Sequence, residues 1–264
     1  MKELYSRNAG IFDDVEREKI QNTRLTIFGC GLGSVIAELA LRSGFIHMTV
    51  VDGDTVDITN LNRQMFTQAD VGTYKAEALA KRLKSINPDA DITYINKFVS
   101  SNETWHHALI KQSDFIIDTI DISSIKAMLD IHRVARANNK PIVFPLNMAY
   151  SGGVFVFTSN SASLENMLQV SEDIDLQSAE EMYINKSIFM KWVDMCQPYM
   201  NEHNISIMER FIGRVATEGW CPLPQLGIAA YTSATLSVTL LLKLVSGVEF
   251  ETAPYMHISD PWDI

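Results

Sequence analysis

Leu25-Thr26-Ile27-Phe28-Gly29-Cys30-Gly31-Leu32-Gly33-Ser34 runs from an apolar, β-prone segment straight into a glycine-rich turn, and apolar residues continue at helical spacing from Ser34 to Arg42. A strand, a tight turn and a helix in that order leave unpaired backbone N–H groups at the positive end of a helix dipole, where an anion is favoured. Gly29, Gly31 and Gly33 let a phosphate approach the backbone closely. His47-Met48-Thr49-Val50-Val51 then returns as a second strand, so the segment predicts a βαβ unit. Asp52 ends that strand about twenty residues after the glycines, where such units set a carboxylate on ribose hydroxyls. Each piece alone has a bland reading, as a tight turn or a strand cap. In this order they indicate a nucleotide.

Working outward, β-rich runs alternate with amphipathic stretches through the first 150 residues. A helix predicted from Tyr74 to Ile86 stops at Asn87-Pro88, because proline disfavours a helical conformation in the residue before it. Asp91 to Ile95 predicts a strand. Phe115-Ile116-Ile117 has the unbroken apolarity of a central strand covered on both faces. A helix over Ile125 to Ala137 and a strand over Pro141 to Leu146 follow. Gly152-Gly153-Val154-Phe155-Val156-Phe157 predicts an antiparallel addition. Helical segments are expected near Ala179 to Met195 and Ile205 to Ala216, and Gly227 to Val245 predicts a long apolar helix suited to burial or a subunit interface. The expected fold is α/β: a Rossmann-like, mostly parallel sheet with crossover helices, an antiparallel extension and a C-terminal helical part. It divides into a nucleotide-binding core over 1–158, a helical insertion over 159–222, and a C-terminal helix and strand over 223–264 that complete the core.

Composition narrows the function. With 264 residues and 47% hydrophobic side chains the chain can bury a full core without disulfide staples. A net charge of −10 argues against a general nucleic-acid binder, which needs a basic surface. Cys30, Cys196 and Cys221 are too widely separated to form a recognisable thiolate zinc site, and no zinc is expected. The apolar run Leu236 to Val245 is interrupted by Lys243 and is short for a bilayer. Lys2, Glu3, Arg7 and Asp13 break the N-terminus as a secretory signal, so no membrane association and a cytosolic, cytoplasmic location are expected.

The loop after the second strand turns the nucleotide reading away from hydride transfer. Asp52 to Gln64 is long and polar, with Asp54, Asn60 and a single guanidinium at Arg63, which can meet phosphate oxygens through paired hydrogen bonds. Lys75, opening the next helix, offers a second cation. Asp121 follows the apolar strand that ends at Asp118 and so falls at the carboxyl edge of the sheet, where open α/β folds bind ligands. Two cations and a carboxylate around a phosphate cradle suit nucleotidyl transfer to a carboxylate with bridging Mg²⁺.

Asp52-Gly53-Asp54, Asn60-Leu61-Asn62-Arg63-Gln64, Val71-Gly72-Thr73-Tyr74-Lys75-Ala76-Glu77, Ile86-Asn87-Pro88 and Asp118-Thr119-Ile120-Asp121 occur in that order. The series closely resembles the superfamily of MoeB, ThiF and the ubiquitin-activating E1 enzymes, with the related tRNA threonylcarbamoyladenosine dehydratases, up to about residue 160 and again from Gly227 to Gly247. The resemblance implies an enzyme that uses ATP to activate a carboxylate as acyl-AMP, releasing pyrophosphate. Its substrate would be the C-terminus of a small ubiquitin-like or sulfur-carrier protein, or of a peptide. It implies Asp52 on the ribose beside Asp54, Asn60, Arg63 and Lys75 around the phosphates, and Asp121 holding Mg²⁺ near the α-phosphate in preference to Asp118. Arg7, in Tyr5-Ser6-Arg7-Asn8, matches an N-terminal arginine that reaches into a partner subunit's site and so implies a homodimer; the alternative is a solvated arginine on a mobile terminus. A scaffold subunit that has lost turnover and an NAD-dependent oxidoreductase are the competing readings.

The chain departs from that pattern in three places. Its glycine loop is one residue shorter than Gly-x-Gly-Gly-x-Gly, the paired Cys-x-x-Cys motifs of MoeB and ThiF are missing, and Ser159 to Gly219 has no match. Cys196 and Cys221 are the thiols available for a thioester or persulfide, although a lone cysteine is more often a small buried apolar residue. Cys30 reads as loop packing. His106-His107 predicts diverging side chains with a surface role instead of metal ligation. The methionines between Met182 and Met208 read as core filling or as a plastic docking surface.

Overall fold

In the computed structural model, which describes residues 3–184, 187–219 and 223–263, the chain enters through α1 (Asp14–Asn22). A reciprocal capping box fixes its start: the Asp13 carboxylate accepts from the Glu16 N–H, and the Glu16 carboxylate accepts from the Asp13 N–H. Only Ile20 of this helix is buried, so apolar periodicity gives no sign of it. β1 (Arg24–Phe28), α2 (Leu32–Ser43) and β2 (His47–Val51) then form the expected βαβ unit, with Leu25 opposite Met48 and Phe28 opposite Val51 in parallel register. Gly44 closes α2 in the left-handed conformation that a C-terminal glycine supplies. α3 (Lys75–Ile86) ends at Asn87 before the proline, and β3 (Asp91–Ile95) follows.

The second half of the sheet is built from α4 (Trp105–Gln112), β4 (Phe115–Asp118), α5 (Ile125–Ala137), β5 (Ile142–Met148) and β6 (Ser151–Phe157). Among the described residues, four helices follow in the region expected to be helical: α6 (Leu164–Met167), α7 (Leu176–Ile184), α8 (Ser187–Cys196) and α9 (Glu202–Glu218). α10 (Gly227–Ser246) and β7 (Met256–Ser259) complete the chain. The strand order is β3-β2-β1-β4-β5-β6-β7. β3 to β5 are parallel, while β6 and β7 are antiparallel additions joined through the tight β5–β6 hairpin. The fold is therefore the mostly parallel α/β sheet that the alternation of elements predicts.

Alternate residues of each strand feed opposite layers. Ile27, Ile117, Val143, Val154 and Val156 pack with α2, α3 and α10, whereas Phe28, Ile116, Ile142, Phe144, Phe155 and Phe157 pack with α5, α7 and α8. α10 presents Ala229, Ala230, Ser233, Ala234 and Ser237 as its buried face. Small residues are required there because a Cβ placed on Gly152 would lie 2.4 Å from the Ser233 nitrogen. α10 corrects the reading of this region as short for a bilayer: it is 20 residues long and holds an 18-residue window of mean hydropathy 1.6, which meets that test by length and composition. Packing against α2, β5 and β6 buries 44% of that window.

Candidate functional site

The carboxyl ends of β1, β2, β4 and β5 open into one cleft of about 630 Å³, lined at one end by Gly29, Gly31, Asp52, Asp54, Asn60, Arg63, Gln64 and Lys75. β1 feeds this end through Gly29, whose φ of +88° turns the chain sharply; a Cβ there would stand 2.6 Å from the Thr119 carbonyl oxygen. The Thr119 hydroxyl donates to the Gly29 carbonyl at 2.7 Å, which ties the ends of β1 and β4 together. Gly31 precedes the first turn of α2. Gly33, expected at the phosphates, is absent from the cleft wall. Its Cβ would collide with Ile27 Cγ2 at 2.8 Å, so it serves the packing of α2 on β1.

Asp52 caps the end of β2 and points back at the glycine turn, accepting from the Cys30 N–H at 2.7 Å and from the Asp54 N–H at 2.8 Å. Burial pushes its carboxyl above the ordinary range, and the two backbone donors offset part of that rise. Lys75 is only 8% exposed, and its Nζ meets Asp54 Oδ2 at 2.5 Å while its backbone N–H donates to the Asp54 carbonyl. The loop between these residues is ordered by local bonds. Asn60 Oδ1 caps Asp57 N, and Arg63 Nη1 donates to the Thr59 carbonyl at 3.0 Å and to Asn62 Oδ1 at 2.8 Å. Partial burial draws the guanidinium below its ordinary pKa. Ser34, fully buried in the first turn of α2, accepts from the Met65 N–H and donates to the Gly31 carbonyl, fastening the arginine loop to the glycine turn.

Asp121 lies on the same cleft wall, just past β4, with Oδ1 accepting from the Ser123 N–H at 2.8 Å. Asp118 is fully buried and shared between the Ile120 N–H and His132, so it is a structural anchor beneath the cleft. Arg7 lies elsewhere. It is exposed, in the segment where Tyr5 donates to the Leu41 carbonyl and Asn8 to the Ser43 carbonyl, at the end of α2 opposite the cleft. Several lining residues are not among the candidates read from the sequence: Gln64, Lys97, Phe98, Thr119, and the apolar group at the far end. Of these, Gln64 and Thr119 fall within the Asn60–Gln64 and Asp118–Asp121 segments. Phe98, 68% exposed, covers Gly53 so closely that a Cβ there would lie 2.5 Å from its ring.

The cysteines separate cleanly. Cys30 is fully buried behind the glycine turn. Cys196 lines the cleft, but burial pushes its thiol up to about 12, so it is neutral at physiological pH and lacks the thiolate of a nucleophile. Cys221 lies outside the described residues. The histidine pair overturns its expectation: His106 is fully buried, and both Nε2 atoms meet Asp130 Oδ2, at 2.6 Å and 3.1 Å. Although Asp130 is partly buried, these two contacts hold its carboxyl below the ordinary range. The three side chains carry the donors of a metal site, yet His106 Nδ1 has no partner among the described residues. A metal-bound imidazole ordinarily donates that second N–H to an acceptor. The arrangement matches a carboxylate bridging two imidazoles.

Among curated proteins, the chain is 31% identical over 144 residues to the tRNA threonylcarbamoyladenosine dehydratase of Escherichia coli, covering 54% of this chain and 53% of that protein. It is 31% identical over 149 residues to the molybdopterin-synthase adenylyltransferase of the same organism, covering 56% and 58%. The matched segments thus span about half the length of these relatives. The crystal structure of the Escherichia coli dehydratase in complex with ATP superposes with a TM-score of 0.64 at 19% identity, covering 93% of this chain and 95% of that one, which establishes a shared fold. Residues 5–264 match the model of the ThiF family, and the chain belongs to that family.

Proposed function

We propose that this chain adenylates a carboxylate with ATP. The observation that carries the reading is the placement of Arg63, Lys75 and Asp121 on the wall of one cleft with Gly29, Gly31 and Asp52. A carboxylate oxygen of the substrate attacks the α-phosphorus, the bond from that phosphorus to the bridging oxygen of the β-phosphate breaks, and pyrophosphate leaves with the electron pair. No proton moves and no covalent enzyme intermediate forms, so the work of the protein is to position the reactants and to meet developing charge. Gly29 and Gly31 give backbone access to the phosphates, Asp52 accepts from the ribose hydroxyls, and Arg63 and Lys75 face the negative charge passing to pyrophosphate. Lys75 shares its charge with Asp54. That pairing fixes the ammonium in place before the nucleotide arrives.

Asp121 fits a Mg²⁺ ligand: a hard carboxylate oxygen at the cleft surface, with Oδ1 spent on a backbone N–H and Oδ2 unpaired among the described residues. Mg²⁺, when bound, supplies neutralisation of phosphate charge. The names of the molybdopterin-synthase adenylyltransferase and of the ATP-bound dehydratase support ATP as the nucleotide. The acyl substrate is the C-terminus of a ubiquitin-like or sulfur-carrier protein, or of a peptide. Arg7 is remote from the cleft of its own chain, so its use in catalysis requires a second copy, and a homodimer forms part of the proposal.

Asp121→Ala is expected to lower carboxylate-dependent ATP–pyrophosphate exchange by about 100-fold or more while the circular dichroism spectrum stays unchanged. Exchange at the wild-type rate would remove Asp121 from the mechanism.

A further inference from the structure

The cleft does not end at Asp121. Beyond it the walls are Phe144, Leu146 and Met148 of β5, Trp192 and Cys196 of α8, and Met208 of α9. Among the described residues, this far end contains no charged side chain; its polar members are Asn147 and Gln225. β4, which ends just before Asp121, lies between β1 and β5 in the sheet, so on the adenylation reading the junction of the two ends is where the α-phosphate and the attacking carboxylate would meet. Phe144 and Trp192 support each other, with ring centroids 5.4 Å apart. Trp192 is 5% exposed, and its Nε1–H has no hydrogen-bond partner among the described residues.

Resting on the adenylation reading, we propose that this far end is a side-chain subsite, and that the activated carboxylate is the C-terminus of a peptide whose last residue is large and apolar, of the leucine, methionine or phenylalanine class. A terminal acidic or basic side chain would be stripped of water with no opposite charge to receive it. A terminal glycine would leave the apolar walls wet. An unbranched fatty acid would cover them too, but it offers nothing to the side-chain amides of Asn147 and Gln225 on this wall, whereas a peptide backbone brings amide groups that can hydrogen-bond to them. The neutral thiol of Cys196 belongs to the same surface as an apolar group.

The test uses the full-length protein with Mg²⁺, ATP and N-acetylated tetrapeptides that differ only in the final residue: Phe, Leu, Gly, Glu or Lys, with octanoate as a carboxylate lacking an amide. ATP–pyrophosphate exchange is read for the wild type and for Met208→Glu, at a partly exposed wall position. Calorimetry of ATP binding runs alongside. The expected result is kcat/KM about 10- to 100-fold higher for the Leu or Phe ending than for Gly, the span set by burying one such side chain. Met208→Glu should cut that preference about 10-fold or more while ATP affinity is retained. Equal rates for Gly and Phe, a preference for Glu, Lys or octanoate, or an unchanged preference in Met208→Glu would each overturn the proposal. Exchange with none of the carboxylates despite normal ATP binding would overturn the subsite and leave the nucleotide site standing. Failure to bind ATP would remove both readings.

Discussion

Gly29 shows how one residue decides the site. Its backbone sits at φ +88°, and the space where a Cβ would project is taken by the Thr119 carbonyl and hydroxyl. An alanine therefore meets two costs, a left-handed backbone and a clash against a neighbouring main chain that cannot retreat. Gly29→Ala is expected to lower unfolding stability by about 2–5 kcal/mol. Gly10→Ala, at φ +91° with nothing within 4 Å of the added carbon, isolates the backbone cost of about 1–2 kcal/mol. Urea unfolding midpoints measure both, and equal losses at the two positions would show that the β1–β4 contact imposes no constraint. The gathering of Gly29, Gly31, Asp52, Arg63, Lys75 and Asp121 on one cleft wall is legible in sequence because each stands in a local motif beside a strand end or the loop that follows it. Gly33 lies off that wall and against Ile27, a placement sequence does not reveal because a turn glycine and a packing glycine look alike there. The convergence of His106 and His107 depends on Asp130, a residue from another helix that the pair itself does not announce.

At the scale of elements, α2 and α3 are held together by a charge cluster beside the apolar contact. Glu38, 5% exposed, receives Arg42 from its own helix and Arg82 from α3. Burial alone would raise the Glu38 pKa, but the two arginines outweigh it and hold the carboxyl below its ordinary value. A carboxylate with a depressed folded-state pKa contributes stability above its unfolded pKa of 4.5 and loses it as pH falls through the lower folded value. Glu38→Gln should therefore destabilise by about 1–2 kcal/mol at pH 7, below the figure for a fully buried pair because both arginines are partly in water. The gap to wild type should close as pH falls below 4.5. A gap independent of pH in thermal melts would assign the loss to packing instead of charge. Crossover helices such as α2, α3 and α5 announce themselves by apolar periodicity. α1 does not, because its start is specified by capping and it buries a single residue. α7, α8 and α9 overlap the segments expected to be helical near Ala179 to Met195 and Ile205 to Ala216, whereas the short α6 does not, and their packing over β5 joins segments with no local sequence signal.

The whole molecule places two chemistries at one sheet edge. β1 and β2 with their loops make a polar end that carries Arg63 and Lys75, while β5 with α8 and α9 makes an apolar one, and the residues after β4 stand between them. A parallel sheet gathers all its strand ends on one side, so residues as distant in sequence as Gly29 and Met208 share a wall. The central claim is that the Arg63 guanidinium and the Lys75 ammonium hold the β- and γ-phosphates of ATP. The most direct measurement is calorimetric titration of Arg63→Met and Lys75→Met with Mg²⁺–ATP and, separately, with AMP. Each variant should bind ATP at least about 10-fold more weakly, since a charge-assisted hydrogen bond contributes about 1.5–3 kcal/mol, with AMP affinity nearly unchanged. ATP affinity equal to wild type in both variants would contradict the account.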